Sequence, residues 1–294
     1  MRDVQEEPLF TVVIANYNYG RFLEEAIQSL FSQSCQDFEL IVVDGGSTDN
    51  SVDLIRKYEN RIAWWCSEPD RGQSDAFNKG FSQARGRFLT WLNADDVFSP
   101  RALEQAREAI IKHPDCEWFA GGCFWLDPEL HVIKCSCARA FSYIRAKRGE
   151  ISVWAPSSFF SRSLYERVGG VDVGFHYMMD TELWFRFHRQ AGAIYRPIKG
   201  YCWGLRLHPE AKMSGHNFEG STHTQQSHPK WEQMRKEGEI FYGRYGHPKN
   251  NRLMKWFTTS PKVFIKNRFD TWRFRGKPFD ACFRAPPRLN GVRS

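Results

Sequence analysis

Four short apolar runs divide the first hundred residues: FTVVIA at 10–15, FELIVV at 38–43, IAWWC at 62–66 and FLTWL at 88–92. Continuous rather than alternating apolarity marks strands covered on both faces. Between the runs, apolar residues recur every three or four positions: Phe22, Leu23, Ala26, Ile27, Leu30 and Phe31; Val52, Ile55 and Tyr58; Ala76, Phe77, Gly80, Phe81 and Ala84. That spacing gives amphipathic helices. Strand and helix in alternation predict an α/β chain with a mostly parallel sheet and helices on both faces. Ligands of such sheets sit at the carboxyl ends of the strands, so the residues just past each run bear most directly on function.

Beyond residue 100 the pattern loosens. Ser99-Pro100 opens a helix that runs to about His113. Strands are expected at 117–124 and 131–135, a helix at 180–190 ended by Gly192, and extended chain over 193–207. Residues 215–235 read as loop and then helix. The 294 residues suffice for one large domain or two small ones. An apolar share of 41% excludes a disordered chain, and no uncharged apolar run is long enough to span a bilayer.

Four strand ends carry chemistry: Ala15-Asn16-Tyr17-Asn18; Asp44-Gly45-Gly46-Ser47-Thr48-Asp49; the stretch DRGQSDAFNKG at 70–80; and Asn93-Ala94-Asp95-Asp96. Asp95 and Asp96 are adjacent carboxylates after a buried strand, where like charges raise each other's pKa. A divalent cation, Mn²⁺ or Mg²⁺, removes that penalty, and hard oxygen ligands suit both ions. The plainer alternative is a solvated acidic turn before a helix cap.

Taken together, VVIANYN, FELIVVDGGSTDNS, EPDRGQSDAFNKG and ARGRFLTWLNADD make the chain similar to family 2 glycosyltransferases, especially bacterial enzymes that build surface polysaccharides. The resemblance covers roughly residues 8–215. It implies a GT-A fold with a Rossmann-like sheet, followed by a helical or irregular basic extension. It places a catalytic domain at 1–215, with a donor half at about 8–100 and an acceptor half at about 101–215, and the extension at 216–294. Ala15, Asn16, Tyr17 and Asp44 resemble the positions that hold the base of a nucleotide-diphospho-sugar, UDP-sugars being favoured. Asp75 and Lys79 are further donor-side candidates, with Arg71, Gln73 and Arg85 comparable to Lys79 as phosphate candidates. Asp95 and Asp96 resemble the family's metal motif, with Asn93 in place of its first acid; Asp96 would bind the metal, and Asp95 the ribose or the metal shell.

Farther along, Trp154 lies in a segment similar to the family's acceptor side. Asp180, in MMDTELW, matches the second acid of the family's paired-acid motif, where Met179 replaces the first. Asp180 is therefore the implied general base of an inverting transfer, with Glu182 as runner-up and Trp184 on the acceptor side. As the opening residue of a helix, Asp180 is also expected to be ionised at neutral pH. Arg206, His208 and Lys212 resemble the family's RxH segment, His208 as metal ligand and Arg206 and Lys212 as phosphate candidates. The acceptor by family default is a glycan or a lipid-linked sugar. Substitutions at Gly45, Ala155 and Met179 leave a non-catalytic nucleotide-sugar or glycan binder as the alternative.

Charge is divided unevenly. Residues 1–248 hold 29 Lys+Arg against 32 Asp+Glu, whereas 249–294 hold 12 against 2. The basic segment interleaves its cations with Trp256, Phe257, Phe264, Phe269, Trp272, Phe274, Phe279 and Phe283. It suits peripheral contact with an anionic membrane, or simple packing on the domain; no nucleic-acid module is present. Met1 to Pro8 lacks the pattern of a signal peptide, and eight cysteines without CxxC pairing read as free thiols. Together these predict a cytoplasmic protein, with the inner face of the membrane as a further possibility.

Overall fold

A computed structural model describes residues 7–147, 153, 155–212, 229–247 and 261–283. The predicted alternation is present: β1 (Phe10–Asn16), α1 (Gly20–Phe31), β2 (Phe38–Asp44), α2 (Ser51–Lys57), β3 (Trp64–Ser67), α3 (Gln73–Ser82) and β4 (Phe88–Asn93). β1 pairs in parallel with β2 and β4, and β2 with β3. Register places Asn16 beside Asp44, so the ends of β1 and β2 are level.

The second half follows as β5 (Val97–Phe98), α4 (Ala102–Lys112), β6 (Trp118–Leu126), β7 (Val132–Ser136), α5 (Tyr143–Ala146), β8 (Ser158–Ser161), α6 (Arg162–Arg167), α7 (Met179–Arg189), β9 (Tyr195–Arg206), α8 (Pro229–Tyr245) and α9 (Pro261–Phe274). Strands run in the order β3-β2-β1-β4-β8-β6-β9-β5, with β7 on β6. β8 sits antiparallel between β4 and β6, which makes the sheet mixed. Periodicity missed β8 because SFFS is only four residues long and Phe159 and Phe160 are both buried.

Side chains leave the sheet alternately. Val12 and Ile14 pack with α1 and α4 on one face; Val13, Leu89 and Trp91 pack with α3 and α7 on the other. Gly80 permits α3 to lie close on β1, since a Cβ there would meet Val13 Cγ1 at 2.5 Å. The second face also takes Phe241 from α8. A smaller cluster joins Phe124, Leu126, Val132 and Cys135 to Phe279, beneath α9. No described helix is long and apolar enough to cross a membrane.

Candidate active site

The end of β2 is wired by hydrogen bonds. Asp44 is fully buried; its Oδ1 accepts from Asn16 Nδ2 at 2.7 Å and Ser47 Oγ at 2.5 Å. Its Oδ2 accepts from Ser67 Oγ at 2.6 Å and from the amides of Ser47 and Gly46 at 2.9 and 3.2 Å. Burial alone pushes this carboxyl upward, but the Ser47, Ser67 and Asn16 bonds outweigh it and hold the group below the usual carboxylate range. Gly46 makes the turn at φ +81°. Asp44, expected to contact a nucleotide base, accepts five bonds from the ends of β1 and β3 and from its own turn. What the site presents outward is Tyr17, whose ring is 59% exposed. Asp70 stands beside it, its Oδ2 2.8 Å from where a Cβ on Gly45 would lie, with the Tyr17 ring 3.3 Å from the same point. Ala15 is partly buried in the core; Asn16 gives its Nδ2 to Asp44 and Ser47, while its buried Oδ1 accepts no bond from a described residue.

At the end of β4 the two acids separate. Asp96 is buried, accepting from Asn93 Nδ2 at 2.7 Å and from the Arg206 amide at 2.9 Å. Burial and the neighbouring Asp95 raise it well above the ordinary range. Asp96 thus joins β4 to β9, with one bond accepted on each of its oxygens. Asp95 pairs instead with His208, its Oδ2 3.1 Å from His208 Nε2. Phe22 and Tyr19 flank the His208 ring, and burial and Asp95 push the Tyr19 phenol up to about 12. A carboxylate and an imidazole would supply two of the six positions of a Mg²⁺-type shell, which commonly takes the rest from substrate phosphates and water. Among the described residues no third acid, cysteine or histidine completes the shell. The pair therefore fits a cation delivered with, and partly held by, a diphosphate.

Arg206 does not reach such a diphosphate. Its guanidinium is 3% exposed, pairs with Glu25 and lies over the Phe22 ring. Lys212 does come to the site, donating to Gln73 Oε1 at 2.7 Å; Gln73 donates to Asn93, and Asn93 to Asp96. Asp75 and Lys79 are held in ion pairs with Arg71 and Glu68, and Arg85 with Glu39. None of these last three candidates bonds to the Asp44 or Asp95 groups.

Asp180 lies in the first turn of α7, half-buried. Its Oδ1 accepts from Thr181 N at 2.6 Å, and Oδ2 accepts no bond from a described residue. Burial pushes this carboxyl above its usual range, with Thr181 and the charge of Lys212 pulling part of the way back. The helix terminus therefore does not decide its titration; burial does. Glu182 and Trp184 are corrected as acceptor-side candidates. Glu182 is fully buried in an ion pair with Arg186 at 2.7 Å and accepts from Tyr245 OH at 2.8 Å. Trp184 is stacked between Trp91 and Trp118 at centroid distances of 5.8 and 5.2 Å. Trp154 lies outside the described residues.

Two groups near Asp180 escaped the sequence reading. His176 Nδ1 is 3.5 Å from where a Gly72 Cβ would lie, and burial with Lys212 lowers its pKa to about 4, so the ring is neutral. Glu237 of α8 is buried, and its carboxylate accepts the amides of His176, Tyr177 and Met178 at 2.9, 2.7 and 3.0 Å. It secures the backbone immediately before Asp180 from a position 57 residues later. No local pattern announces such a partner.

A family model described as glycosyl transferase family 2 matches residues 11–123. An uncharacterised glycosyltransferase of Mycobacterium tuberculosis is 32% identical over 198 residues, 66% of this chain and 73% of the relative. One from Nostoc is 41% identical over 103 residues, 34% of this chain and 32% of the relative. Among solved structures, a fragment of S. aureus TarS in complex with UDP superposes with a TM-score of 0.51 and 17% identity, over 68% of this chain and 61% of that one. The mannosyltransferase PcManGT of Pyrobaculum calidifontis, in complex with GDP-Man and Mn²⁺, gives a TM-score of 0.50 and 20% identity over 67% and 57%. This chain thus spans about a third of the Nostoc relative and about 60% of the two solved chains.

Proposed function

The chain belongs to glycosyltransferase family 2, and from that premise we propose that it moves a sugar from a nucleotide-diphospho-sugar to a hydroxyl of a glycan or lipid-linked acceptor, with inversion. The observation that supports this reading is the chain Lys212–Gln73–Asn93–Asp96 at the end of β4, whose Lys212 also acts on the Asp180 carboxyl, beside the Asp95–His208 pair; Tyr17 lies just past the end of β1. Tyr17 offers a platform for the base, with the Asp70 carboxylate beside it to accept a ring N–H. UDP-sugars are the favoured donors; the TarS neighbour was solved with UDP and the mannosyltransferase with GDP-Man, so a uracil or guanine ring, each with an N–H to give, suits the comparison.

Asp95 and His208 would hold Mn²⁺ or Mg²⁺ against the diphosphate, and the cation would neutralise charge on the leaving group. Lys212 supplies a fixed positive charge near the same region. Asp180 takes the proton of the acceptor hydroxyl as that oxygen attacks the anomeric carbon from the face opposite the nucleotide. A base raised by burial is better matched to this task than an exposed carboxylate. We place the donor half at about 8–100 and the acceptor half at 101–215, with 216–294 as an extension that braces them. The setting we propose is the cytosol, which suits eight free thiols, at the inner face of the membrane, with 249–294 touching anionic lipid as part of polysaccharide synthesis.

The test is release of nucleoside diphosphate from a panel of UDP-, GDP- and dTDP-sugars, with Mn²⁺ or with chelator, in the presence of lipid extract. Release that needs both metal and acceptor is the expected result. Binding of a donor without any release would point instead to a non-catalytic binder, a reading that the open oxygen of Asp180 speaks against.

A further inference from the structure

The outer face of α9 inverts the usual pattern of a surface helix. A helix laid on a globular body ordinarily buries its apolar stripe and shows water its polar one. Among the described side chains of α9, the side against the body presents three polar groups, with Phe274 packed on Phe124 beside them. Asn267 Oδ1 accepts the Cys137 amide at 2.8 Å, and Thr271 Oγ1 accepts the Cys135 amide at 3.0 Å. Asp270 is buried, receiving Tyr201 OH at 2.5 Å and the Lys266 ammonium. These bonds satisfy the edge of β7, and the chain after the helix continues the cover: Gly276 N donates to Val132 O, and Phe279 N to Leu130 O. The helix is thereby fixed in rotation.

Fixed in this way, it points its aromatic residues outward. Trp272 is 78% exposed and Phe269 54%, three residues apart on one ridge, with ring centroids 5.9 Å from each other. Arg268 and Arg273 on the same helix and Arg275 and Lys277 just past its end are all exposed, with Arg273 and Lys277 over the Phe274 ring. The acid on this helix is turned inward and bonded. The sequence on either side, 249–260 and 284–294, adds three further cations each and no acid.

We infer that this ridge is a membrane-docking surface, with Trp272 and Phe269 entering the headgroup region of an anionic bilayer and these exposed cations meeting lipid phosphates. It deepens the membrane contact proposed for residues 249–294 and does not depend on the transfer chemistry. Amphipathic rings prefer the interface between water and hydrocarbon, and clustered Lys and Arg add attraction to acidic headgroups. The two signals together suffice for reversible peripheral binding, where either alone is weak. A single convex ridge suits a deformable lipid surface better than a strand of nucleic acid, which needs a groove that follows its backbone.

The experiment is co-sedimentation of the full chain with vesicles of phosphatidylglycerol and phosphatidylcholine, and with phosphatidylcholine alone. Binding to the acidic vesicles at low salt is expected. F269S/W272S should weaken it at least about tenfold, from the loss of buried ring area. R273Q/R275Q/K277Q should weaken it about fivefold per cation removed and flatten its salt dependence. Both variants should melt like the parent and release nucleotide at the parent rate with a water-soluble acceptor. Vesicle binding by a chain that transfers no sugar would still support the ridge. Binding of F269S/W272S equal to that of the parent overturns the inference, as does equal recovery of the parent with neutral and acidic vesicles. Tight binding of single-stranded RNA that is lost in F269S/W272S would reassign the surface to nucleic acid and overturn it too.

Discussion

The end of β2 and the start of α7 each hold a carboxylate at low exposure, and their environments are opposite. Asp44 receives five bonds from residues within 28 positions of it, and its pKa falls below the ordinary range. Asp180 receives bonds from one residue, keeps one oxygen open, and is pushed up. Burial is the largest influence on both groups; the number of donors decides which way the balance turns. A carboxylate that accepts five bonds from its surroundings builds a site, whereas one left with an open oxygen can take a proton within it.

The largest effect expected from this contrast is on Asp180. Asp180→Asn should lower transfer by roughly 10²–10⁴-fold, the usual worth of a general base, while donor affinity measured by calorimetry stays near the parent value. Surviving activity would assign the base elsewhere. The pH profile sharpens the same point. Because the Asp180 pKa is raised, kcat/KM should fall with decreasing pH along a limb above the usual carboxylate range, as the carboxylate becomes protonated. His176, with a pKa of about 4, contributes no limb near neutrality.

Asp95 and Asp96 offer the next test, since these adjacent acids have different partners. Asp95→Ala should weaken Mn²⁺-dependent donor binding by more than about 100-fold at an unchanged melting temperature. Asp96→Ala should lower the melting temperature, because it removes the acceptor from Asn93 and the Arg206 amide. The reverse result would return the metal to Asp96.

Glu237→Gln keeps the shape of the side chain but weakens three charge-assisted bonds. A loss of ~1–3 kcal/mol in stability is expected by denaturant titration, with kcat reduced and donor KM little changed. An equal fall in donor affinity would show that α8 serves the whole site rather than the Asp180 side.

The smallest effect concerns Asp44. Its folded pKa is depressed, so its contribution to stability is present above the unfolded value near 3.9 and is lost as pH falls through the folded one. Asp44→Asn should therefore cost stability at neutral pH, and the difference from the parent should close in acid. A gap that persists below the folded pKa would mean that shape, not charge, holds the loop.

Most of the first hundred residues were legible because their bonding is local in register. β1, β2 and β4 end within a residue or two of the predicted limits, and their acids follow directly. The second half was legible only as single elements. β8 is too short to show a period, and β5 has two residues. Trp184, four residues on, shares a helical face with Asp180, whereas Glu182 lies across the helix from it; burial of α7 on both sides turns both into core. Asp96 and Arg206 have the residue types of metal and phosphate ligands; the sequence does not show that Asp96 also joins Asn93 to the Arg206 amide, or that Arg206 pairs with Glu25.

The sequence by itself determined the parallel sheet, the edge of that sheet where ligands gather, and the residue types available there, because apolar period and strand-end chemistry are local properties. Only the tertiary structure decided how many donors each acid meets, that α8 secures the backbone before Asp180 from far along the chain, and that α9 turns Phe269 and Trp272 outward. Those outcomes depend on donors brought together from distant positions, and a carboxylate's task is set by how many of them it meets.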